Sequence, residues 1–483
     1  MSPFDAARYA RLLEGLEAVE SQLSAVSERL DAESQQKSGI ALAKKLGASR
    51  GVTTIDCVAH VSDGNHLSIA GEFDDEQAGG VRYLRGQDIS GEMMLDDRNP
   101  VFIPDAEYHK LKRSHIFMGD VLVTIVGANT GQTALVDQAP EKLTANCKLG
   151  ILRPKNSAID SAYLHAFLAG RFGQSQIAAA KRGGGQMGLI LPDLKALAVA
   201  RLDAALERQV AELAWNAHRV RRTARQHLEA ASTLLMNVLQ MSAWQAPEPL
   251  TYVRSSRDAL AAGRLDAEFF TPRVRALLER LGRDGLTLAD VASPRHEAFK
   301  PEDAGESFRY IEIGDMRGDG SAGATVLATR DAPSRATQIV RGGDVLTSTV
   351  RPIRRLSALI NADQDGAVCS SGFVVLRPEG ISGAALLTYL RLPLVCELMN
   401  LHTSASLYPA ISERDLLALP IPSIPEPTQK AIEAQVLAAR AARQRSTQLL
   451  EAAQRAVEIA IEDSETAALA YLRSVTASES ASD

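Results

Sequence analysis

Gly119-Asp120-Val121-Leu122-Val123-Thr124 returns as Gly343-Asp344-Val345-Leu346-Thr347-Ser348, an offset of 224 residues. A turn residue pair followed by a β-branched apolar run reads as the entry to a buried strand. Working outward, Leu149-Gly150-Ile151-Leu152-Arg153-Pro154 returns at the same offset of 224 as Phe373-Val374-Val375-Leu376-Arg377-Pro378. Arg82-Tyr83-Leu84 with Gly86-Gln87-Asp88 returns as Arg309-Tyr310-Ile311 with Glu312-Ile313-Gly314-Asp315, and Asp193-Leu194 returns as Asp415-Leu416, at offsets of 227 and 222. An offset this constant over such a distance means a duplicated unit. The period is far longer than the roughly 20–50 residues of a solenoid repeat. Two like domains in one chain suit a target that is itself met in two places.

The 483 residues suffice for two to four ordinary domains, and 45% hydrophobic with 23% charged residues is a globular composition. No run of about 18 apolar residues is present to span a membrane. Met1-Ser2-Pro3-Phe4-Asp5-Ala6-Ala7-Arg8 lacks the basic start of a signal peptide. The expectation is therefore a cytoplasmic protein with no membrane partner. Cys57, Cys147, Cys369 and Cys396 are far apart and form no CxxC pair, so they read as reduced, buried thiols with no metal site.

A net charge of −6 excludes a uniformly basic surface but not nucleic-acid binding, which depends on where Lys and Arg cluster. Three clusters stand out: Lys110-Leu111-Lys112-Arg113-Ser114-His115, Lys181-Arg182-Gly183-Gly184-Gly185-Gln186 and Arg351-Pro352-Ile353-Arg354-Arg355. Taken singly, each is ordinarily a solvated loop.

Each repeat closes on a long helical pattern. Leu206, Val210, Leu213, Ala217, Val220 and Ala224 alternate by four and three, and after a further step of four the seam resumes at Leu228, Ala231, Leu235 and Val238. That spacing keeps one narrow stripe facing a partner helix, with a stutter in the middle. After Pro425-Glu426-Pro427 the second copy carries Ile432, Val436, Ala439, Leu450, Ala453, Val457 and Ile461, and a third such segment opens the chain at Leu12, Leu16, Val19, Leu23, Val26 and Leu30. A helix of about 35 residues is roughly 50 Å long and cannot bury such a seam alone. Between the helices lie mixed, mainly β stretches, with short helices expected at Tyr163–Leu168 and Ala384–Leu390. The fold class is α+β. The expected boundaries are an N-terminal helix 1–33, a first domain 34–203, a long coiled-coil helix 204–243, a linker 244–262, a second domain 263–425, a second long helix 426–465 and a flexible tail 466–483.

Catalytic motifs are mostly missing. Asn99-Pro100-Val101-Phe102 departs from the Asn-Pro-Pro-Tyr/Phe motif of adenine methyltransferases at its second proline, and no glycine-rich cofactor loop accompanies it. Gly127-Ala128-Asn129-Thr130-Gly131-Gln132 lacks the Gly-Lys-Ser/Thr ending of a phosphate loop. It reads as a tight turn between strands, with Asn129 and Gln132 as polar tips.

Ser406-Leu407-Tyr408-Pro409-Ala410-Ile411-Ser412, then Asp415-Leu416-Leu417-Ala418-Leu419-Pro420-Ile421-Pro422 with Pro425 and Gln429, leads into the second long helix. This string resembles the junction between target-recognition domain and helical region in the specificity subunit of type I restriction–modification systems. The Gly-Asp-Val-Leu strands and Arg264-Leu265-Asp266-Ala267-Glu268-Phe269-Phe270 are similar to that family as well. The first half departs: Ala198-Val199-Ala200-Arg201 stands where prolines would, and Arg29-Leu30-Asp31-Ala32-Glu33 runs into Ser34. These departures leave open an ordinary restriction system and a related, methylation-associated phage-defence system.

The resemblance implies two target-recognition domains held apart by antiparallel helices, each reading half of a split double-stranded DNA sequence. It implies no catalysis and no cofactor on this chain. S-adenosylmethionine would be carried by a partner adenine methyltransferase subunit docked on the helices, with a restriction/translocase subunit in a full complex. Base edges and phosphates call for Arg, Lys, Asn and Gln. The candidates in the first domain are Lys112, Arg113, Asn129, Gln132, Lys181, Arg182 and Gln186; those in the second are Arg351, Arg354, Arg355, His402, Ser404, Ser406 and Tyr408. The seam by which each long helix faces its partner helix is Leu206, Val210, Leu213, Val220, Leu228, Leu235 and Val238 with Val436, Leu450 and Val457. The alternative is an assembly or regulatory protein of a phage-defence system, built on the same fold without reading DNA.

Overall fold

Val121, Leu122 and Val123 have no exposed surface, so the strand they form must be covered on both faces. Alternation decides what covers each face. Val121 and Val123 join a core built with helices, whereas Leu122 joins a second core with Leu84, Leu143 and Ile151. Its copy behaves alike: Val345 faces helices and Leu346 faces a second sheet. Each unit is thus a layer of helices, a central sheet and a smaller sheet.

The structure is a computed structural model describing residues 36–73, 80–89, 100–138, 141–155, 158–183, 188–404 and 409–480. The expected helix over 1–33 and the Asn99 position lie outside them. Two compact units are present. One comprises the described residues up to Arg221 together with those from Arg443 onward; the other is Arg222–Ala442.

The first unit contains β1 (Val52–Thr54), β2 (Ala59–Asp63), β3 (Val81–Leu84), β4 (Val101–Ile103), β5 (Val121–Thr124), β6 (Thr133–Leu135), β7 (Leu143–Ala145), β8 (Leu149–Pro154) and β9 (Ala198–Ala200). Its central sheet has the order β2-β8-β5-β6 and its smaller sheet β4-β3-β7, with β3 and β7 parallel. The second unit contains β10 (Ala292–Pro294), β11 (Ser307–Ile311), β12 (Thr325–Ala328), β13 (Ala336–Ile339), β14 (Val345–Ser348), β15 (Ser357–Leu359), β16 (Val368–Ser370), β17 (Phe373–Pro378), β18 (Thr403–Ser404) and β19 (Ala410–Ile411). Its central sheet, β10-β17-β14-β15, repeats the first, and β12-β11-β16-β13 repeats the smaller sheet with one strand added. Register repeats too: Val121 pairs Leu135 and Leu152, while Val345 pairs Leu359 and Leu376.

The expected short helices form at Ser161–Ala169 and Gly383–Leu390, started by the side chains of Asp160 and Ser382, which accept from backbone N–H groups of the first turn. Each presents one buried tyrosine whose hydroxyl donates to a backbone carbonyl: Tyr163 to Ala200 (2.7 Å) and Tyr389 to Pro420. A buried phenol needs such a partner. Gly383–Leu390 and the bent continuation Pro393–Leu401 are apolar because they fill the second unit's core. Among the described residues no single helix is long and apolar enough to cross a membrane.

The long helices run Ala204–Val238 and Glu426–Glu462, and each contributes to both units. In the first unit Leu206, Val210, Leu213 and Ala217 share a core with Leu449, Leu450, Ala453 and Val457, with Val220 packed against it. In the second, Ala231 and Leu235 share one with Ile432 and Val436. The early half of one helix therefore meets the late half of the other, so the pairing is antiparallel. The seam departs from the expected residues at two places: Leu228, in the middle of the helix, is only half-buried, and at the end Val238 is half-buried while Leu239, next to the turn at Gln240 (φ +56°), is buried.

Two further expectations are corrected. The tail is not a flexible segment from 466: Glu465–Ser480 is a helix that buries Ala468 and Leu472, an i, i+4 pair that the small, polar composition concealed. The four thiols are free, but only Cys369 and Cys396 are buried, whereas Cys57 is exposed and Cys147 intermediate. Cys57 sits in the helical turn Ile55–Val58, which leaves it facing solvent. The stretch expected as a linker contains a short helix, Ser256–Ala262, closed by Gly263 in the left-handed conformation.

Candidate nucleic-acid interface

Hairpins follow both Gly-Asp-Val-Leu strands. In the first unit β5 and β6 are joined by 125–132, in the second β14 and β15 by 349–356. The closing bonds are equivalent: Thr124 N–H donates to Gln132 O and Ser348 N–H to Leu356 O, both at 2.8 Å. A returning segment lies alongside each hairpin. In the first unit Val126 bridges Gly188, and Leu189 N–H donates to Ile125 O (2.7 Å); in the second Val350 bridges Ala410, and Ile411 N–H donates to Thr349 O (3.0 Å). The returning segments are themselves pinched, by the Arg182–Gly188 bridge and by Ser404 paired with Ala410. Tertiary structure thus brings two separate stretches of sequence together in each unit.

The strands beneath are fixed by buried aspartates. Asp120 accepts from Phe117 N–H (2.8 Å) and two bonds from Arg153 (2.8 and 2.7 Å). Asp344 accepts from Arg341 N–H (2.8 Å) and two bonds from Arg295 (2.7 and 3.0 Å). A nearly fully buried carboxylate requires this pairing. The arginine comes from different strands in the two units. Arg377, which copies Arg153, instead pairs with Glu379, whereas the residue two after Arg153 is Lys155.

In the first unit the expected polar tips face inward. Asn129 donates its side-chain N–H to Ile89 O (3.2 Å), and the Gln132 side-chain oxygen is buried. Asn129 ties the turn to Ile89, and Gly127 and Gly131 bend it at positive φ. The end of the Lys181 side chain lies against Gly131. Arg182 makes a two-pronged pair with Asp193 (2.6 and 2.7 Å), locking the returning segment to the helix Leu191–Ala196. Lys112 and Arg113 belong to a different turn, 112–114. Both are exposed, and Arg113 is ion-paired with Asp63. Gln186 lies outside the described residues.

In the second unit Arg354 and Arg355 are exposed and Arg351 intermediate, around a buried Pro352. The backbone of this tip is held from several sides. Arg351 N–H donates to Pro409 O (2.9 Å), and Arg355 N–H to Pro352 O (2.9 Å). Arg391 donates to Arg355 O (2.7 Å), to Ser357 O (3.2 Å) and to Gly318 O. His402 meets Phe269 edge-on at 5.6 Å, and Arg264 lies over the same ring at 4.3 Å while donating to Leu401 O (2.7 Å). Burial, then the Arg264 charge, lowers the His402 pKa. Ser404 lies in β18; Ser406 and Tyr408 are outside the described residues.

Sequence reasoning missed Arg391 and Ile353. Ile353, 54% exposed at the hairpin tip, is an apolar side chain where solvent would favour a polar one. Arg391 has no local signal, since its partners lie 34 to 73 positions away. Among the described residues no group of three His, Cys, Asp or Glu could hold a metal ion. An open groove of about 310 Å³ between the helices Lys37–Gly47 and Arg171–Ala180 is lined by Ser38, Leu42, Arg171, Gln174 and Ser175, and Arg171 is ion-paired with Glu462.

These features define a duplicated α+β protein in which each unit carries a paired hairpin and returning loop. No family model matches the chain, and no curated protein does. Among solved structures it is similar to the HsdS subunit from Thermoanaerobacter tengcongensis, at 18% identity over 86% of this chain and 97% of that one, TM-score 0.29. It is similar to the S subunit of a type I restriction–modification system from M. genitalium, at 14% identity over 85% and 95%, TM-score 0.33. A chain from a structure on complex assembly and conformational transition of the type I R-M system matches at 18% identity over 86% and 98%, TM-score 0.30.

Proposed function

We propose that this chain is the DNA-specificity subunit of a methylating complex of the type I restriction–modification kind, reading a split sequence with one half per unit. The observation that carries the reading is the hairpin and returning segment, built twice in the same register, with Lys181 and Arg182 at the returning segment of the first unit and Arg351, Arg354 and Arg355 on the hairpin of the second. A two-stranded ribbon fits the major groove, and Arg and Lys serve base edges and phosphates. Lys112, Arg113, Lys181 and Gln186 are the contacts of the first unit. Arg351, Arg354, Arg355, His402, Ser404, Ser406 and Tyr408 are the contacts proposed for the second. Asn129, Gln132 and Arg182 shape the loops.

Methyl transfer belongs to a partner adenine methyltransferase holding S-adenosylmethionine, which must flip its base out of the duplex. That partner, and a restriction/translocase subunit in a full complex, dock on the faces of the long helices turned away from the seam. Replacing residues 34–203 by the same domain of a relative with another target is the test, read by sequencing the methylated sites with the partner present. One half of the site should change and the other stay. Change in both halves, or in neither, would sink the division of labour. A chain that selects no sequence would support the assembly-protein alternative.

A further inference from the structure

The hairpin of the second unit differs from its copy in one respect that its fold does not require. Among the described residues three non-glycines have positive φ: Gln240, Arg351 (+50°) and Arg355 (+56°). At the offset of 224, Arg351 and Arg355 correspond to Gly127 and Gly131, whose φ values are +113° and +97°. The same turn is therefore bent into positive φ at the same two places in both units. The angles differ, the arginines lying in the left-handed α region and the glycines at larger positive φ, but glycine enters either without steric cost. The second unit uses arginine, a long side chain that rarely enters the left-handed region. Residues kept in sparsely populated backbone regions persist only when their surroundings hold them, and they cluster at functional sites. Here the surroundings are the Pro409 carbonyl, the buried Pro352 and the three-way clamp of Arg391. Glycine suffices for the turn, so the arginines are there for their side chains.

Resting on the DNA-reading function proposed above, we infer that Arg351 and Arg355 are specificity-determining residues and that their targets are guanine edges in the major groove. A guanidinium matches guanine O6 and N7 with two parallel hydrogen bonds, which needs a fixed direction of approach. Phosphate anchoring needs only nearby positive charge and is met by a mobile lysine as well. A strained, clamped backbone supplies direction. Ile353, exposed between them, is placed for a thymine methyl group. The first unit has no such pair: an added Cβ at Gly131 would come within 2.9 Å of Ile177 Cγ2.

The test uses the full chain, wild type against the double variant R351G/R355G and against R355K. The readouts are selection from a randomised duplex library and thermal unfolding. The wild type should enrich a split sequence with guanine in one half. The glycine variant should keep its melting temperature or raise it, keep the other half-site, and lose at least about tenfold in guanine preference. R355K should keep affinity for unrelated duplex while losing part of that preference. An unchanged selected sequence in both variants would overturn this inference and leave DNA reading standing. Equal weakening on all duplexes would make the arginines phosphate anchors, and a large fall in melting temperature for the glycine variant would make them structural; either overturns it. A wild type that enriches no sequence would overturn the DNA-reading function, and this assignment with it.

Discussion

His402 and the cysteines show how burial sets chemistry one residue at a time. The His402 pKa is lowered from 6.5, first by burial and then by Arg264, so the folded state binds fewer protons than the unfolded one once pH falls below about 6.5. Its stability contribution is complete above that value and declines with acidification down to the lower folded pKa. Replacing His402 by Gln should flatten the fall in melting temperature between about pH 7 and pH 5. An unaltered profile would show that His402 does not titrate differently on unfolding. Burial pushes the Cys369 and Cys396 thiols up to about 12, whereas hydrogen bonds from the Thr54 side chain and backbone lower Cys57. The thiolate is the reactive species. Alkylation followed by peptide mass spectrometry should find Cys57 modified first and Cys369 and Cys396 only on unfolding.

At the scale of the element, the duplicated strand keeps its aspartate and changes the arginine that satisfies it. Asp120 takes Arg153 from β8, while Asp344 takes Arg295, the residue that follows β10. Position 295 is held by Arg295 N–H on Val375 O, and its structural counterpart in the first unit is Ser62, paired with Ile151. Arg377 is drawn instead to Glu379, where the first unit has Lys155. Asp344→Ala should cost about 2–3 kcal/mol, the lower range for a buried charged partner because Arg295 retains some contact with water. Arg295→Ser should be similarly destabilising. Adding Glu379→Lys, which copies the first unit at both positions, should free Arg377 to turn to Asp344 and recover more than half of the loss. Denaturant unfolding of the three variants measures this, and no recovery in the pair would mean that strand identity, not charge competition, selects the arginine.

For the whole molecule, the two long helices tie the units together in sequence, and their register matters twice. Four residues inserted in the first helix alone near Ala224 would slide Ala231 and Leu235 past Ile432 and Val436, or Leu206 and Val210 past Ala453 and Val457. The insertion must therefore be made in both helices, after Arg221 and after Ala442, so that each unit keeps its own core. It adds about 6 Å of helix and a turn of about 40°, close to two base pairs at 3.4 Å each. On the DNA-reading function proposed above, both half-sites should persist with an unread spacer longer by one or two base pairs, as read from the methylated sites. A folded, active variant with the old spacer would show that something other than the helices sets the distance.

The chain by itself determined the duplication, the α+β class, the long helices and most of their seam. These follow from periodicities of 224 residues, of two and of three to four, and periodicity is carried by the order of residues alone. Burial closed the seam on Leu239 rather than Val238, and folded the tail through Ala468 and Leu472, because helix ends and weakly apolar segments are settled by what they pack against. The candidate site was legible as residue types and not as roles. Asn129 turned inward to Ile89, and Arg182 was taken by Asp193. Arg391 entered from a helix with no motif to mark it. Tertiary structure alone decided which polar groups were already satisfied and which stayed exposed, since a hydrogen bond between distant positions leaves no trace in local sequence. The pairing of Gly127 and Gly131 with Arg351 and Arg355 was present in the sequence throughout. Only the backbone angles gave it meaning, by placing all four residues at positive φ.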